Sequence, residues 1–61
     1  MVKHVVALNV LRSIGRKMRI REVIDEMAKM GISISYSHVH KTFRWYADNN
    51  TIHTKDHMYW A

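Results

Sequence analysis

Basic and aromatic side chains are concentrated in one stretch of the second half of the chain. This stretch contains His38, His40, Lys41, Arg44 and Trp45, set among residues of core type. Imidazoles can ligate metal ions, and lysine and arginine can bind anionic groups. Three interpretations are therefore open: a metal site, a binding face, or the solvated side of a helix.

The spacing of the histidines argues against a metal site. His38 and His40 are two residues apart, which on a helix separates their side chains by about 200°. His53 and His57 would face each other only across a suitably closed hairpin. No thiol or carboxylate completes the four-ligand set that structural zinc requires. We therefore expect no metal and no other cofactor.

The sequence also lacks the residue patterns of a catalyst. Asp25 and Glu26 are adjacent, so on a helix their carboxylates point about 100° apart rather than towards one substrate. There is no glycine-rich phosphate loop, and no nucleophile stands at a recognisable spacing from a base. We expect that the chain is not an enzyme.

Length and composition indicate one small domain, covering residues 1–61. Folding at this size buries only about 60% of the unfolded surface, so dimerisation would be a natural supplement. The formal net charge of +5 favours an anionic partner, and the absence of cysteine fits a cytoplasmic location. The first apolar segment is interrupted by Lys3, His4 and Asn9 and is too short to span a bilayer. No membrane partner is expected.

Apolar periodicity and turn residues predict three helices followed by a hairpin. The helices are expected at about residues 2–14, 20–30 and 35–49, and the hairpin at about 51–60. Gly15 and Gly31 are placed to end the first two helices. Ser33 and Ser35 are alternative N-caps for the third. The fold class is thus mainly α with a small β-hairpin.

Helix periodicity also predicts which side chains of each element share a face. In the third helix the apolar side comprises Tyr36, Val39, Phe43, Tyr46 and Ala47. Its opposite side carries Ser37, Lys41, Arg44 and Asp48, with His38 and Trp45 along one edge and His40 along the other. In the second helix, Asp25 and Lys29 are spaced for an i,i+4 ion pair. In the hairpin, the turn is expected at Lys55-Asp56, although that dipeptide is not a preferred turn sequence.

The order helix, basic loop, helix, glycine turn, helix, hairpin resembles that of a winged helix-turn-helix DNA-binding domain. The run IREVIDEMAKMGISISYSHVHKTFRWYADNNTI, residues 20–52, looks like the second and third helices of that superfamily. It is most similar to the DNA-binding half of ferric-uptake-regulator-type repressors. The shared features are a long second helix ending in glycine, an Ile-Ser entry, and a Val-x-x-x-[Leu/Phe] third helix, here Val39 and Phe43. The metal-binding dimerisation domain of those repressors has no counterpart here, so metal sensing is not implied.

This resemblance implies that the third helix enters the major groove of duplex DNA. The base-reading positions are then Ser37, His38, His40, Lys41 and Arg44. All of these side chains can bond to acceptors on base edges, and arginine can do so bidentately. Phosphate contacts would come from the basic loop, the start of the second helix and the wing, through Arg16, Lys17, Arg19, Arg21 and Lys55. For each residue, a merely solvated basic surface is the alternative.

Trp45 has several interpretations. It could pack on sugar and phosphate beside the third helix, lie under the hairpin near Met58 or Trp60, or belong to a partner surface. Packing within the protein or contact with a partner is favoured.

The leading hypothesis is a small sequence-specific DNA-binding protein that regulates transcription. It would act by occupying a DNA site, and a symmetric dimer on a palindromic site is expected to supply the specificity that one module lacks. Val2, Val5 and Leu8 would form the dimer contact, or would instead complete the core of the monomer. Compactness favours a viral or mobile-element origin, with a cytoplasmic location or, in a host cell, the cytoplasm or nucleoid.

The alternative hypothesis is a winged-helix module that binds a protein and does not read DNA. A small viral protein that blocks a host factor is one example. Its functional patch would comprise Trp45, Tyr59, Trp60 and the surplus apolar face of the first helix. RNA binding is a further possibility, because phosphate attraction does not distinguish the two polymers.

Overall fold

Residues 2–61, described by a computed structural model, form three helices followed by a two-stranded antiparallel hairpin. The elements are α1 (Lys3–Ile14), α2 (Ile20–Lys29), α3 (Tyr36–Asp48), β1 (His53–Lys55) and β2 (Met58–Trp60). The predicted fold class, mainly α with a small β-hairpin, is confirmed. Each helix begins and ends within one residue of its predicted position, while the first strand begins two residues later than predicted.

The ends of α1 and α3 are set by short local motifs. Gly15 follows α1 with φ 70°, and its N–H donates to the carbonyl of Leu11 at 3.1 Å. A side chain at this positive φ would be strained, which explains the glycine. Ser35 is the N-cap of α3: its hydroxyl accepts from the backbone N–H of His38 at 3.1 Å. Ser33 instead uses its carbonyl, which accepts a 2.7 Å bond from Lys3 Nζ.

Carboxylates stabilise both ends of α2. The backbone N–H of Arg19 donates to Glu22 Oε1 at 3.1 Å, so Glu22 closes the first turn that the Arg19 side chain cannot cap. The predicted pair between Asp25 and Lys29 is wrong. Lys29 Nζ donates to Glu26 Oε2 at 2.8 Å, and this bond raises the pKa of Lys29. A spacing of i,i+3 brings these two groups together as readily as i,i+4.

One hydrophobic cluster lies between the helices and the hairpin. Its members are Ala7, Leu8, Val10, Leu11, Met18, Ile20, Val23, Met27, Ile34, Val39, Phe43, Tyr46, Ile52 and Tyr59. All five elements or their flanking loops contribute, so the hairpin is packed on the helices. Tyr36, which was predicted on the apolar side of α3, is 52% exposed. It stands in the first turn of the helix and stacks on His40, with ring centroids 6.4 Å apart.

The first helix buries more of its surface than the dimer prediction assumed. Leu8 is only 6% exposed and belongs to the core, so of the two alternatives for this residue the structure supports completion of the core and contradicts a dimer contact. Val2 and Val5 are 52% and 44% exposed and remain accessible. Neither this helix nor the other two in residues 2–61 has the combined length and apolar character needed to cross a bilayer.

The hairpin is joined to the loop that precedes α2. Met18 and Tyr59 exchange two backbone hydrogen bonds of 2.8 Å each, which add a one-residue third partner to the sheet. The turn of the hairpin is Asp56-His57, with φ 53° and 64°. Two successive residues at positive φ make a type I′ turn, which matches the twist of paired strands. The predicted turn at Lys55-Asp56 is therefore wrong by one residue, and Lys55 belongs to β1.

Candidate nucleic-acid interface

The outer side of α3 presents all five residues assigned to base reading. Ser37, His38, His40, Lys41 and Arg44 are exposed. Their positions follow from the burial of Val39 and Phe43, which turns the opposite side of the helix to solvent. No side-chain hydrogen bond or ion pair within residues 2–61 engages Lys41 or Arg44. Their cationic groups are therefore available to an external anion.

The two edges of this side of α3 open onto different hollows. Lys41 lines a hollow of about 320 Å³ on the α1 side, together with His4, Trp45 and Tyr46. His40 lines a hollow of about 390 Å³ on the hairpin side. The structure also brings together no group of three or more potential metal ligands within residues 2–61.

The turn of the hairpin lies beside the N-terminal half of α3. His57 lines the second hollow with Ile20, Tyr36 and His40. Sequence reasoning gave His57 no role in this surface, because its position depends on the pairing register and on the packing of the hairpin against α2 and α3. A surface formed by α3 and the hairpin would include His57 at the point where they meet.

The four cations predicted to bind phosphate near the start of α2 have different surroundings. Arg16 forms an ion pair with Glu22, with 2.9 Å between Nη1 and Oε2. The ammonium of Lys17 lies 4.6 Å from the ring centroid of Trp60. Arg19 and Arg21 are exposed, and their side chains make no ion pair within the described chain. The guanidinium groups of Arg19 and Arg21 are thus available to an external anion, whereas that of Arg16 is already paired with a carboxylate.

The Glu22 carboxylate accepts hydrogen bonds from two residues of the loop before α2. Its pKa is lowered first by the hydrogen bond from the backbone of Arg19 and then by the one from the Arg16 side chain. Both bonds favour the ionised carboxylate. Glu22 therefore holds Arg16 against the start of α2 and offsets part of the positive charge there.

Arg21 and the fifth predicted phosphate-binding residue, Lys55, lie on different elements. Arg21 lines a hollow with Tyr36, so it stands beside the first turn of α3. Lys55 is exposed near the turn of the hairpin, opposite Met58 in the register. The predicted phosphate-binding cations therefore extend from the start of α2 to the hairpin.

Trp45 lies outside the hairpin and outside the core. It is 62% exposed, and its ring meets the edge of Tyr46 with centroids 5.5 Å apart. Packing beneath the hairpin was one of the alternatives for this residue, and the structure contradicts it. The exposed indole lies beside a mostly apolar hollow between α3 and the start of α1.

Comparison of the chain with models of protein families, with curated proteins and with solved structures finds no match.

Proposed function

We propose that this chain is a winged-helix protein that recognises sequence in duplex DNA and regulates transcription. The observation that carries the proposal is the exposed row of Ser37, Lys41 and Arg44 on α3, whose side chains make no ion pair within residues 2–61. An α-helix fits the major groove, where lysine and arginine bond to the acceptors of guanine. His38 and His40 extend the readout to both edges of the helix.

Phosphate contacts would fix the orientation of α3 in the groove. Arg19 and Arg21 are the strongest candidates, because they are exposed and not neutralised by a carboxylate. Lys17 and Lys55 are available in the loop and in the hairpin. Arg16 would contribute less, since Glu22 already neutralises it. This distribution supports binding on both sides of the recognition helix.

A single module of this size buries little DNA surface, so a dimer on a palindromic site remains part of the proposal. With Leu8 in the core, the contact between two copies would use Val2 and Val5. Such a protein would act wherever it meets DNA, in the cytoplasm or, for a viral chain, in the host cytoplasm or nucleoid.

Selection from random duplex DNA, combined with a salt series, tests the proposal. The purified chain is expected to enrich one sequence motif, and the logarithm of its affinity is expected to fall with that of salt by about 0.9 for each phosphate bound. Lys41→Ala with Arg44→Ala should abolish the enrichment and cost about 1–3 kcal/mol for each lost base contact. Lys29→Ala is the matched control, because Lys29 is ion-paired on α2.

The outcomes separate the proposal from its competitors. Salt-dependent binding without enrichment would indicate an architectural or nonspecific binder. Equal or stronger binding of single-stranded or duplex RNA in a parallel assay would indicate an RNA-binding protein. A folded double variant that binds its selected DNA normally would show that α3 is not the recognition helix.

One observation favours a second candidate function, in which the chain binds a protein. Trp45 stands 62% exposed beside the apolar hollow that His4 also lines, and Val2 and Val5 are exposed on the same end of α1. Aromatic anchors of this kind dominate protein interfaces. In that case, Trp45→Ala would abolish function, while the Lys41 and Arg44 substitutions would leave it unchanged.

A further inference from the structure

Trp60 is held between two basic side chains that reach it from opposite sides. Strand β2 lies between β1 and Met18, so the residues next to Trp60 belong to different segments of the chain. On the β1 side, His53 is its partner in the register and stacks on it, with centroids 5.5 Å apart and ring planes inclined by 28°. On the other side, Lys17 Nζ lies 4.6 Å from the ring centroid.

The pleat of the hairpin places these groups on its outer face. Tyr59 is buried, so its face of the sheet points to the core. Side chains alternate along a strand, and His53, Lys55 and Trp60 therefore point the other way. Lys17 joins them by lying over the Trp60 ring. This basic outer face, defined by Lys17, His53, Lys55 and Trp60, carries no acidic side chain.

Anion binding suits this face because the ammonium groups of Lys17 and Lys55 are exposed and Lys17 is already partly ordered. Lys17, His53 and Lys55 make no ion pair within residues 2–61. A lysine that is free in solution loses side-chain entropy when it binds a phosphate. Contact with the electron-rich face of an indole restricts Lys17 before binding and leaves its N–H groups able to donate.

We propose that Trp60 is a positioning residue, which holds the Lys17 ammonium over its ring for contact with the phosphodiester backbone of duplex DNA. The inference rests on the proposed function and deepens it, since it assigns a role to Trp60. Two observations support this occupant. Lys17 continues the series of cations formed by Arg19 and Arg21, and the Met18–Tyr59 bridge fixes the loop to the hairpin as one surface.

A double-mutant cycle on Lys17 and Trp60 tests the positioning role. Binding of the sequence selected by the wild-type chain is measured across a salt series, with flanking base pairs present on both sides. Lys17→Gln is expected to lower the salt slope by about 1 and to weaken binding. Trp60→Leu is expected to weaken binding about two- to fivefold, and Trp60→Phe less, because the phenyl ring retains part of the attraction.

The decisive measurement is the DNA affinity of the chain that carries both Lys17→Gln and Trp60→Leu. If Trp60 acts through Lys17, Trp60→Leu should add no further loss once Lys17 is glutamine. Independent, multiplicative losses would overturn the positioning role, and unchanged affinity and slope in both single variants would overturn the surface itself. Met30→Ala is the control, because it removes a 56% exposed side chain that follows α2 and lies outside this face. Circular dichroism of each variant verifies that it is folded.

A second readout does not depend on substitution of Trp60. In a Trp45→Phe chain, Trp60 is the single tryptophan, and its accessibility to acrylamide is expected to fall when the selected duplex is added. Unchanged quenching at saturating DNA would overturn the inference, as would protection by single-stranded RNA alone. Failure of the wild-type chain to bind any duplex would sink both the proposed function and this inference. Normal DNA binding that depends on Lys41 and Arg44 but not on Lys17 or Trp60 would sink only the inference.

Discussion

Met18 and Tyr59 are locked together by two backbone hydrogen bonds of 2.8 Å, and both side chains are buried. The pairing ties the loop before α2 to the second strand of the hairpin. A two-stranded hairpin is at best marginally stable in water, so packing and this third partner are what hold it in place. The pairing also brings Lys17 next to Trp60 on the outer face of the hairpin, because Lys17 precedes Met18 and Trp60 follows Tyr59.

We predict that Met18→Ala strongly destabilises the protein. Met18 is fully buried, and removal of such a side chain from a core costs about 2–5 kcal/mol. Domains of this kind are stable by only about 5–15 kcal/mol, so the variant is expected to be partly unfolded at 37 °C. Urea denaturation measures the loss. Met30→Ala is the control, since Met30 is 56% exposed and its removal should cost about 0.5 kcal/mol or less.

The sequence was sufficient to predict the helices because their patterns are local. Val39 and Phe43 are fully buried, as the periodicity of α3 required. Tyr36 is the exception on the same side. Tyr36 stands in the first turn, beyond the elements that cover the rest of that side. Apolar periodicity does not show where a covering element ends. The exposure of Lys41 and Arg44 followed from the same local pattern.

The parts that sequence reasoning missed depend on contacts between distant segments. The bridge from Met18 to Tyr59 involves a single loop residue, which has no periodicity to reveal it. The stack of Lys17, Trp60 and His53 follows from that bridge and from the strand register. The sequence left Leu8 open between a dimer contact and the core, because helix periodicity alone does not show how wide a side of the helix the other elements cover.

Ser35→Ala is expected to destabilise α3 by about 1 kcal/mol. Its hydroxyl accepts from the backbone N–H of His38, which has no other partner in the first turn, and loss of an N-cap costs about 0.5–2 kcal/mol. In a domain of this size the midpoint temperature should fall by roughly 4–8 °C. Ser33→Ala provides the control, because Ser33 engages Lys3 only through its carbonyl and should melt like the wild type. A larger effect at Ser33 than at Ser35 would contradict the cap assignment.

His57→Gly is expected to stabilise the protein, although it removes a side chain. The residue occupies the turn of the hairpin at φ 64°, where a side chain is strained and glycine is not. Release of the strain outweighs the greater freedom of glycine in the unfolded chain, with an expected net gain of about 0.5–1 kcal/mol. Differential scanning calorimetry measures the shift. The same change at His38, inside α3, should instead cost a few tenths of a kcal/mol.

Glu22→Gln is expected to flatten the acid limb of the stability profile. Bonds from the Arg19 backbone and the Arg16 side chain lower the pKa of Glu22 in the folded state. A group whose pKa is lowered on folding contributes stability above its unfolded pKa, and that contribution is lost as the pH falls through the folded value. The wild type should therefore lose stability below about pH 5, and the variant should lose less. Thermal melting of the wild type and of the variant between pH 7 and pH 3 measures the acid limb of each stability profile. Asp25→Asn, on the same helix but with no hydrogen bond or ion pair within residues 2–61, should retain the wild-type slope.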